Sequence, residues 1–225
     1  MDNIEIKSIT ENPIEIISKA AGTSYGKDDV SFKRIKHCFD NGHMGVFEHV
    51  TATFKIEGIS RACSHQLVRH RIASFVQKSQ RYTEVDNDDW YIVPDSIRNN
   101  PYFEAYKNLM EHAETLYFEL LDHGVKKEDA RYALTEATKT DIAMTMNLSS
   151  LFHFFDLRCD QSAQWEIRDL AEGIKDCLYS YNDEWRYLID LYSSKENLRE
   201  KIKQLEKENE DLKRRILNVL EDDIL

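Results

Sequence analysis

A short basic stretch near the middle of the chain has the residue types and spacing of a binding site. Between Arg61 and Arg81 lie five lysines and arginines and no aspartate or glutamate, although the formal net charge of the protein is -11. A local positive region in an acidic protein predicts one anionic ligand, not a general affinity for polyanions. Guanidinium groups stay charged and present a planar fork of donors that fits phosphate. The triplet Arg69-His70-Arg71 therefore indicates a phosphate-bearing ligand.

A metal site in the same region has little support. Four histidines lie between His43 and His70, but His65 and His70 are five residues apart and would point from different faces of a helix. No His-x-x-x-His or paired-carboxylate pattern accompanies them. We therefore expect no bound metal.

Hydrolase and glycine-loop nucleotide sites are also disfavoured. The serines near His70 are not part of a Gly-x-Ser-x-Gly elbow, and closeness in sequence does not give the geometry of a catalytic triad. The chain has neither a P-loop nor a Gly-x-Gly-x-x-Gly turn, so a nucleotide would be held by side chains. The arginines of the basic stretch are therefore the candidate ligand contacts.

Composition predicts a folded protein of the cytoplasm. The 225 residues, 41% of them hydrophobic, can bury a substantial core. A pI near 5.2 argues against proteins that coat nucleic acids or membrane surfaces. We expect no secretory signal and no membrane span, because no apolar run is long enough. The four cysteines form no Cys-x-x-Cys pair, which favours a reduced compartment.

The elements that must position the basic stretch are short and mixed in type. Alternating residues predict a first strand over residues 4–9 and a clearer, half-buried strand over residues 49–57. Helices are predicted from Pro13 to about Gly22, over residues 31–40, and from Ser60 to about His70. The basic stretch would then begin on a helix and continue into a loop.

The second half of the chain is predicted to be mainly helical. We expect helices over residues 102–122, 126–137 and 163–191, while the apolar run 142–147 is either a buried strand or the start of a helix. This mixture favours an α+β fold, with a small antiparallel sheet flanked by helices and a C-terminal heptad-repeat helix.

The final segment carries an apolar heptad repeat. Leucine or valine recurs every seven residues at the d positions 191, 198, 205, 212 and 219, and the a positions are Lys195, Ile202, Asn209, Ile216 and Asp223. Isoleucine and leucine with one asparagine at an a position are typical of a parallel two-stranded coiled coil. Lys201 would face Glu206 of the partner helix, and Glu208 would face Lys213. A solvated single helix remains the alternative.

The spacing of the basic stretch resembles a family signature. Arg69-His70-Arg71, seven further residues and then Ser79-Gln80-Arg81 are similar to the motif of flavin-dependent thymidylate synthases. Other segments agree in order: Gly42-His43, Phe47-Glu48-His49, Gln66, Ala130-Arg131, Asn147, Leu157-Arg158 and Ala163-Gln164-Trp165-Glu166-Ile167. The resemblance covers residues 3–190. It implies a catalytic domain over residues 1–192, and the heptad repeat predicts a separate coiled-coil-like helix over residues 193–225.

The resemblance implies an FAD-dependent methyltransferase of nucleotide biosynthesis. It would convert dUMP to dTMP with methylenetetrahydrofolate as carbon donor and NADPH as reductant, in a homotetramer with shared active sites. The implied dUMP contacts are Gln66, Arg69, Gln77, Ser79, Gln80, Arg81, Arg131 and Arg158, with Arg131 and Arg158 arriving from a neighbouring chain. The implied FAD contacts are Arg69, His70, Arg71, Gln77, Asn147 and His153. Arg158 is the catalytic candidate, because a cation near uracil N3 stabilises negative charge there.

Structural roles compete with several of these assignments. Arg131 could be a surface ion-pair partner, His153 a core histidine, Asn147 a helix cap and Ser79 a turn residue. The sequence also departs from the family pattern at five positions: Gly45, Gln77, Thr135, Ser149 and Ser162. These departures affect individual FAD contacts more than the resemblance as a whole.

The sequence is also compatible with two other classes of function. One is a nucleotide-binding regulator that keeps the site without turnover. The other is a coiled-coil adaptor whose function resides in residues 193–225.

Overall fold

The chain forms two compact units. The computed structural model describes residues 3–85 and 89–222. One unit, which we call the sheet unit, comprises the residues up to Glu11 together with Phe47–Cys177. The other, the helical unit, comprises Asn12–Val46 and the residues from Leu178 onward. Within the described ranges, no helix is long and apolar enough to span a bilayer.

The secondary structure alternates short strands with helices of very different lengths. In chain order the elements are β1 (Ile4–Ile9), α1 (Pro13–Thr23), α2 (Phe32–Asp40), a 3-10 helix (Met44–His49), β2 (Thr51–Ser60), α3 (Arg61–Leu67), β3 (Ser74–Gln77), α4 (Asp95–Arg98), α5 (Phe103–Asp122), α6 (Lys127–Ala130), a second 3-10 helix (Arg131–Ala133), β4 (Lys139–Asn147), α7 (Leu148–Arg158), α8 (Trp165–Tyr181) and α9 (Asp183–Asp222).

The sheet unit is built on four antiparallel strands in the order β1-β2-β4-β3. Side chains alternate along β2, where Ala52, Phe54 and Ile56 are buried. β4 contributes the buried Ile142, Met144 and Met146, so the run at 142–147 is a strand. The predicted α+β class and small antiparallel sheet are confirmed.

The basic stretch contains a strand that the sequence did not reveal. After α3 the chain was expected to continue as a loop, but Ser74–Gln77 pairs with β4 as the edge strand β3. Val76 lies opposite Ala143 and is 77% exposed. Four residues with one exposed face are too few for alternation to be recognised. The motif is therefore anchored to the sheet at its centre.

Two predicted helices have different limits. The helix expected over 126–137 is only α6 followed by one 3-10 turn, because the chain becomes extended at Leu134. The helix expected over 163–191 is divided between α8 and α9. The side-chain oxygen of Asn182 accepts a hydrogen bond from the backbone N–H of Trp185 at 2.9 Å and caps α9 at this break.

The helical unit packs α1 and α2 with α9. The side chains of Ile17, Ile35 and Trp185 are each fully buried. The backbone N–H of Ile14 donates to the carboxylate of Glu184 at 3.2 Å and joins segments 170 residues apart. α9 runs without a break past residue 193, so the proposed domain boundary at 192/193 stays a prediction. Of the heptad positions, Asp223 lies outside the described residues.

A buried hydrogen-bond network fixes the start of α3. The carboxylate of Glu166 in α8 accepts from the backbone N–H of Ser60 at 2.7 Å and from its hydroxyl at 2.5 Å. The same hydroxyl oxygen accepts from the N–H of Cys63 at 2.9 Å and caps α3. Because these groups are buried, breaking the network would leave polar atoms unsatisfied. α3, which presents the basic stretch, is thus held at a defined position.

Candidate active site

The segment that follows α3 and one side of α7 line a cavity of about 620 Å³ within the sheet unit. Its polar lining includes five residues of the predicted site: Arg69, His70, Arg71, His153 and Arg158. Ile72, Met146 and Leu157 supply apolar wall. We call this space the arginine–histidine cavity. Its size and its mixture of apolar wall and a few polar groups are those of a ligand pocket.

Arg158 is fixed inside this cavity by contacts to the basic stretch. Its Nε donates to Nε2 of His70 at 3.0 Å, and its Nη2 donates to the backbone carbonyl of Gln66 at 3.4 Å. The His70 ring also packs edge-on against Phe154, with centroids 4.9 Å apart. The two segments, 88 residues apart in sequence, form one arrangement in which the guanidinium plane is fixed.

His70 is neutral at physiological pH. Burial, reinforced by the charge of Arg158 and by His153, lowers the pKa of His70 to about 4. A neutral imidazole that accepts at Nε2 carries its proton on Nδ1. His70 can therefore hold Arg158 without adding a second positive charge beside it.

A second cleft, of about 470 Å³, lies around the first residue of α3. Its lining includes Arg61, Gln80 and Arg131, together with His65 and Glu136, whose Nδ1 and carboxylate oxygen lie 3.2 Å apart. We call it the Arg61 cleft. Of the predicted dUMP contacts, Gln80 and Arg131 meet here, away from the lining of the arginine–histidine cavity.

Arg61 is a candidate that the sequence assignments missed. Its Nη2 donates to the backbone carbonyl of Lys78 at 2.9 Å. Its Nε is buried, and among the described residues no acceptor lies within hydrogen-bond distance. Burial and the nearby charge of Arg131 lower the pKa of Arg61. A buried guanidinium N–H without an acceptor, beside a second guanidinium, is suited to receive an anion. The only signal in the sequence was membership in the basic stretch.

Ser79 and Arg81 lie on the turn that follows β3. The Ser79 hydroxyl accepts from the N–H of Arg81 at 3.3 Å, and its carbonyl accepts from the Thr83 hydroxyl at 2.8 Å. Both Nε and Nη2 of Arg81 contact one carboxylate oxygen of Glu128, at 2.9 and 2.8 Å. Arg131 donates to the backbone carbonyl of Glu128 at 3.0 Å. Glu128 thus lies between two predicted phosphate contacts.

Gln77 and Asn147 use their side chains within the fold. The amide nitrogen of Gln77 donates to the hydroxyls of Ser64 at 2.8 Å and Thr140 at 3.3 Å. Gln77 does not line the arginine–histidine cavity or the Arg61 cleft. The side-chain oxygen of Asn147 accepts from the N–H of Ser150 at 2.8 Å and caps α7. Their assignment as FAD contacts stays a prediction.

The departures from the family pattern fall in different places. Ser149 lines the arginine–histidine cavity, and Thr135 lines the Arg61 cleft. The Ser162 hydroxyl donates to Asp160 at 2.6 Å. Gly45 lies in the first 3-10 helix, where an added Cβ would meet nothing within 4 Å. Steric exclusion within this chain therefore does not explain why residue 45 is a glycine.

Cys63, which lies in α3 within the basic stretch, is unsuited to act as a nucleophile. Cys63 is fully buried in α3, and burial raises the pKa of its thiol well above the usual value, with a further rise from Glu166. In the described part of the chain, no group of three or more histidines, cysteines or acids is arranged to hold a metal. Among the predicted site residues, the arginines and the neutral His70 stay the candidates for binding and chemistry.

Comparison with known proteins agrees with this arrangement. Residues 5–181 match the family described as thymidylate synthase complementing protein. A flavin-dependent thymidylate synthase of Pyrococcus furiosus is 44% identical over 186 residues, which are 76% of each chain. One of Geobacter sulfurreducens is 50% identical over 132 residues, 58% of this chain and 57% of the relative. The crystal structure of the Helicobacter pylori flavin-dependent thymidylate synthase with FAD and dUMP has a TM-score of 0.68 at 30% identity, covering 83% of this chain and 97% of that one.

Proposed function

The chain belongs to the flavin-dependent thymidylate synthase family, and we propose that it converts dUMP to dTMP with methylenetetrahydrofolate as carbon donor and NADPH, through FAD, as reductant. The resemblance predicted from the basic stretch is confirmed at the level of the family. The transferred methylene becomes a methyl group by gaining a hydride, so the reaction needs both a one-carbon donor and a two-electron reductant. FAD supplies the relay of these electrons.

One observation carries the proposal. Five residues of the predicted site, from segments as far apart as Arg69 and Arg158, line a single cavity. An adaptor that acts only through residues 193–225 would have no need for a half-buried arginine held by a neutral histidine. This constellation therefore disfavours the adaptor, while a nucleotide-binding regulator would share it and is distinguished by its lack of dTMP formation.

The arginine–histidine cavity fits a flavin nucleotide in its donor set. Arg69 and Arg71 offer guanidinium donors of the kind that bind a diphosphate, and Ile72, Met146 and Leu157 offer apolar wall for a flat ring. We propose that Arg69, His70, Arg71 and His153 hold FAD. Gln77 and Asn147 would contribute only through the atoms that their internal hydrogen bonds leave available.

Arg158 is proposed to act on the uracil of dUMP. Its charge would stabilise negative charge at N3 as the ring becomes nucleophilic. His70 would position the guanidinium, since it accepts the Arg158 Nε–H at 3.0 Å and stays neutral. The Arg158 guanidinium would then be a fixed hydrogen-bond donor that need not reorganise during the reaction.

The phosphate of dUMP is proposed to bind around Ser79, Arg81 and Arg131. To the contacts implied by the family resemblance, which also include Gln66, Gln77 and Gln80, we add Arg61, because its buried Nε has no acceptor in the described chain. A dianionic phosphate would neutralise the neighbouring Arg61 and Arg131. It would also compete with Glu128 for Arg81.

We further propose that the enzyme acts in the cytoplasm as a homotetramer. Arg131 and Arg158 would serve active sites shared between subunits, and the tails of two subunits would pair. Arg158 contacts His70 of the same chain. A dUMP molecule bound to a neighbouring subunit would therefore contact an Arg158 that is already positioned by His70 of the subunit that supplies it.

Anaerobic incubation with dUMP, methylenetetrahydrofolate, FAD and NADPH tests the function, with dTMP as the measured product. Formation of dTMP that requires all four additions is the expected result. Protein that is yellow and bleached by NADPH, yet forms no dTMP, would replace the proposal with the nucleotide-binding regulator. Protein without flavin binding or dTMP formation would reject both readings.

A further inference from the structure

An exposed apolar stripe runs along the C-terminal half of α9. Leu198, Ile202, Leu205 and Leu212 are 59%, 47%, 54% and 57% exposed. These are a and d positions of the heptad repeat, so they lie on one side of the helix. Four large aliphatic side chains in line on an otherwise charged helix mark a contact surface, because such residues are normally scattered on a free surface.

The structure also defines where this stripe begins. One heptad earlier, Leu191 and Tyr192 are 8% and 3% exposed and belong to the core of the helical unit. Lys195 donates to the backbone carbonyl of Phe39 at 3.2 Å and lies 4.7 Å from the centre of its ring. The first a and d positions are therefore occupied within the chain. The surface available to a partner starts at Leu198.

We propose that this surface, described from Leu198 to Arg214, pairs with the same segment of a second copy as a parallel, in-register coiled coil. Seventeen residues at 1.5 Å per residue give a seam of about 25 Å, or more than two heptads. Most of the stability of a helix in a protein comes from packing of its apolar face, and pairing would bury this stripe.

Charge and polarity identify a second copy as the occupant. In a parallel pair, Lys201 of one helix approaches Glu206 of the other, and Glu208 approaches Lys213. All four side chains are exposed in the single chain. The sequence is thus complementary to itself along both edges of the stripe. No other partner is needed to explain these charges.

Asn209 selects the parallel alignment. It lies at an a position, where parallel in-register helices place it opposite Asn209 of the partner, so that the two amides can form a hydrogen bond. In an antiparallel pair, a positions face d positions, and Asn209 would be buried against a leucine. That arrangement leaves an amide unsatisfied, which is costly.

The test uses the full-length protein with one added cysteine. In a parallel pair, the d side chains face each other across the seam and f side chains point outward, so L205C places two thiols within disulfide reach while K207C does not. After mild oxidation, non-reducing denaturing electrophoresis should show L205C mainly as a covalent dimer. K207C and the wild type, which contains four native cysteines, should stay mainly monomeric.

The outcomes separate this inference from the catalytic proposal. If L205C forms no more dimer than K207C, the parallel pairing is rejected, whether the helices are single or antiparallel. The inference rests on self-association, as the proposed homotetramer does, but not on turnover. Denaturing electrophoresis ignores a non-covalent tetramer, and dTMP formation by reduced L205C reports the catalytic proposal independently.

Discussion

The arginines of the arginine–histidine cavity and of the Arg61 cleft differ in the partners that they contact within the chain. In the cavity, Arg158 is bound by a neutral imidazole and a backbone carbonyl, both without net charge. In the cleft region, Arg61 lies beside Arg131 with a buried N–H lacking an acceptor in the described chain, and Arg81 is held by the carboxylate of Glu128. In the arginine–histidine cavity, Arg158 is therefore positioned before a ligand binds. Near the Arg61 cleft, by contrast, two arginines repel each other and a third is held by a carboxylate.

This difference suggests a division of labour. A preorganised cation is suited to stabilising charge that develops during reaction, because no rearrangement is needed at that moment. Cations that repel each other or hold an internal carboxylate are suited to capturing a charged substrate, because the phosphate relieves the repulsion. We therefore expect changes in the cavity to alter turnover and changes in the cleft to alter dUMP affinity.

Removal of Arg158 should have the largest effect. Arg158→Ala is expected to lower kcat by about 100- to 1000-fold, as for the loss of one preorganised donor to a developing charge. Single-turnover dTMP formation and thermal unfolding measure turnover and folding separately. Arg158→Lys keeps the charge but loses the Nε donor to His70, so it should recover only part of the rate. Normal dTMP formation by Arg158→Ala would remove this residue from the mechanism.

Removal of Arg61 should affect binding instead. Arg61→Ala is expected to weaken dUMP binding by about 10- to 100-fold, the usual range for a charge-assisted hydrogen bond. Calorimetric titration measures this dissociation constant. The unfolding free energy without ligand should fall by no more than about 2 kcal/mol, because the lost hydrogen bond to the Lys78 carbonyl is partly offset by relief of the repulsion from Arg131.

Arg98→Ala is the matched control for this change. Arg98 is an exposed arginine, 3.7 Å from Asp95, and lines neither cavity. It should bind dUMP like the wild type. Equal dUMP affinity of Arg61→Ala and Arg98→Ala would show that the Arg61 cleft does not bind the phosphate.

The neutral state of His70 predicts a pH dependence of stability. Its folded pKa of about 4 lies below the unfolded value near 6.5, so the unfolded chain binds the extra proton between these pH values. This contribution makes the unfolding free energy fall as pH decreases from 6.5 to 4, with no effect above that window. The slope stays below the limit of about 1.4 kcal/mol per pH unit for one proton, because the ring is only partly buried.

Denaturant unfolding of the wild type and His70→Gln over this pH range measures the effect. The glutamine oxygen can still accept from Arg158 but cannot titrate, so the variant should show a flatter profile. Parallel profiles for the two proteins would contradict a depressed pKa at His70.

The smallest effect is expected from Glu128. Glu128→Gln releases Arg81 from an exposed ion pair, which is worth at most about 1 kcal/mol, so dUMP affinity should rise by no more than about fivefold. Titration at low ionic strength is the sensitive measurement. Glu104→Gln, which breaks the exposed pair with Lys107, should leave affinity unchanged. Weaker dUMP binding by Glu128→Gln would mean that Glu128 assists the site instead of competing with the phosphate.

Periodicity predicted the regular parts of the fold. β1, β2, α2 and α5 were predicted to within a few residues, because each has a clear apolar face or a strong end signal. Periodicity failed where distant contacts decide. β3 exists because β4 pairs with it, and the break between α8 and α9 is a single capping residue within two amphipathic helices.

The sequence predicted which residues belong to the candidate site better than it predicted how their side chains are arranged. The family resemblance named Arg69, His70, His153 and Arg158, which the fold places in one cavity. It did not reveal that Gln77 turns towards Ser64 and Thr140, since the latter lies 63 residues away in sequence. It also could not identify Arg61 as a candidate, because the lack of an acceptor for its buried Nε–H in the described chain is seen only in the three-dimensional structure.

The two-segment construction of the helical unit has a consequence for biosynthesis. The Ile14–Glu184 hydrogen bond spans 170 residues. At ribosomal speeds this corresponds to a delay of roughly ten to thirty seconds between synthesis of α1 and arrival of α9. During that delay, the apolar faces of α1 and α2 lack the helix that buries them. The nascent chain therefore offers chaperones a defined early target, and the final helix is the last element needed to hide it.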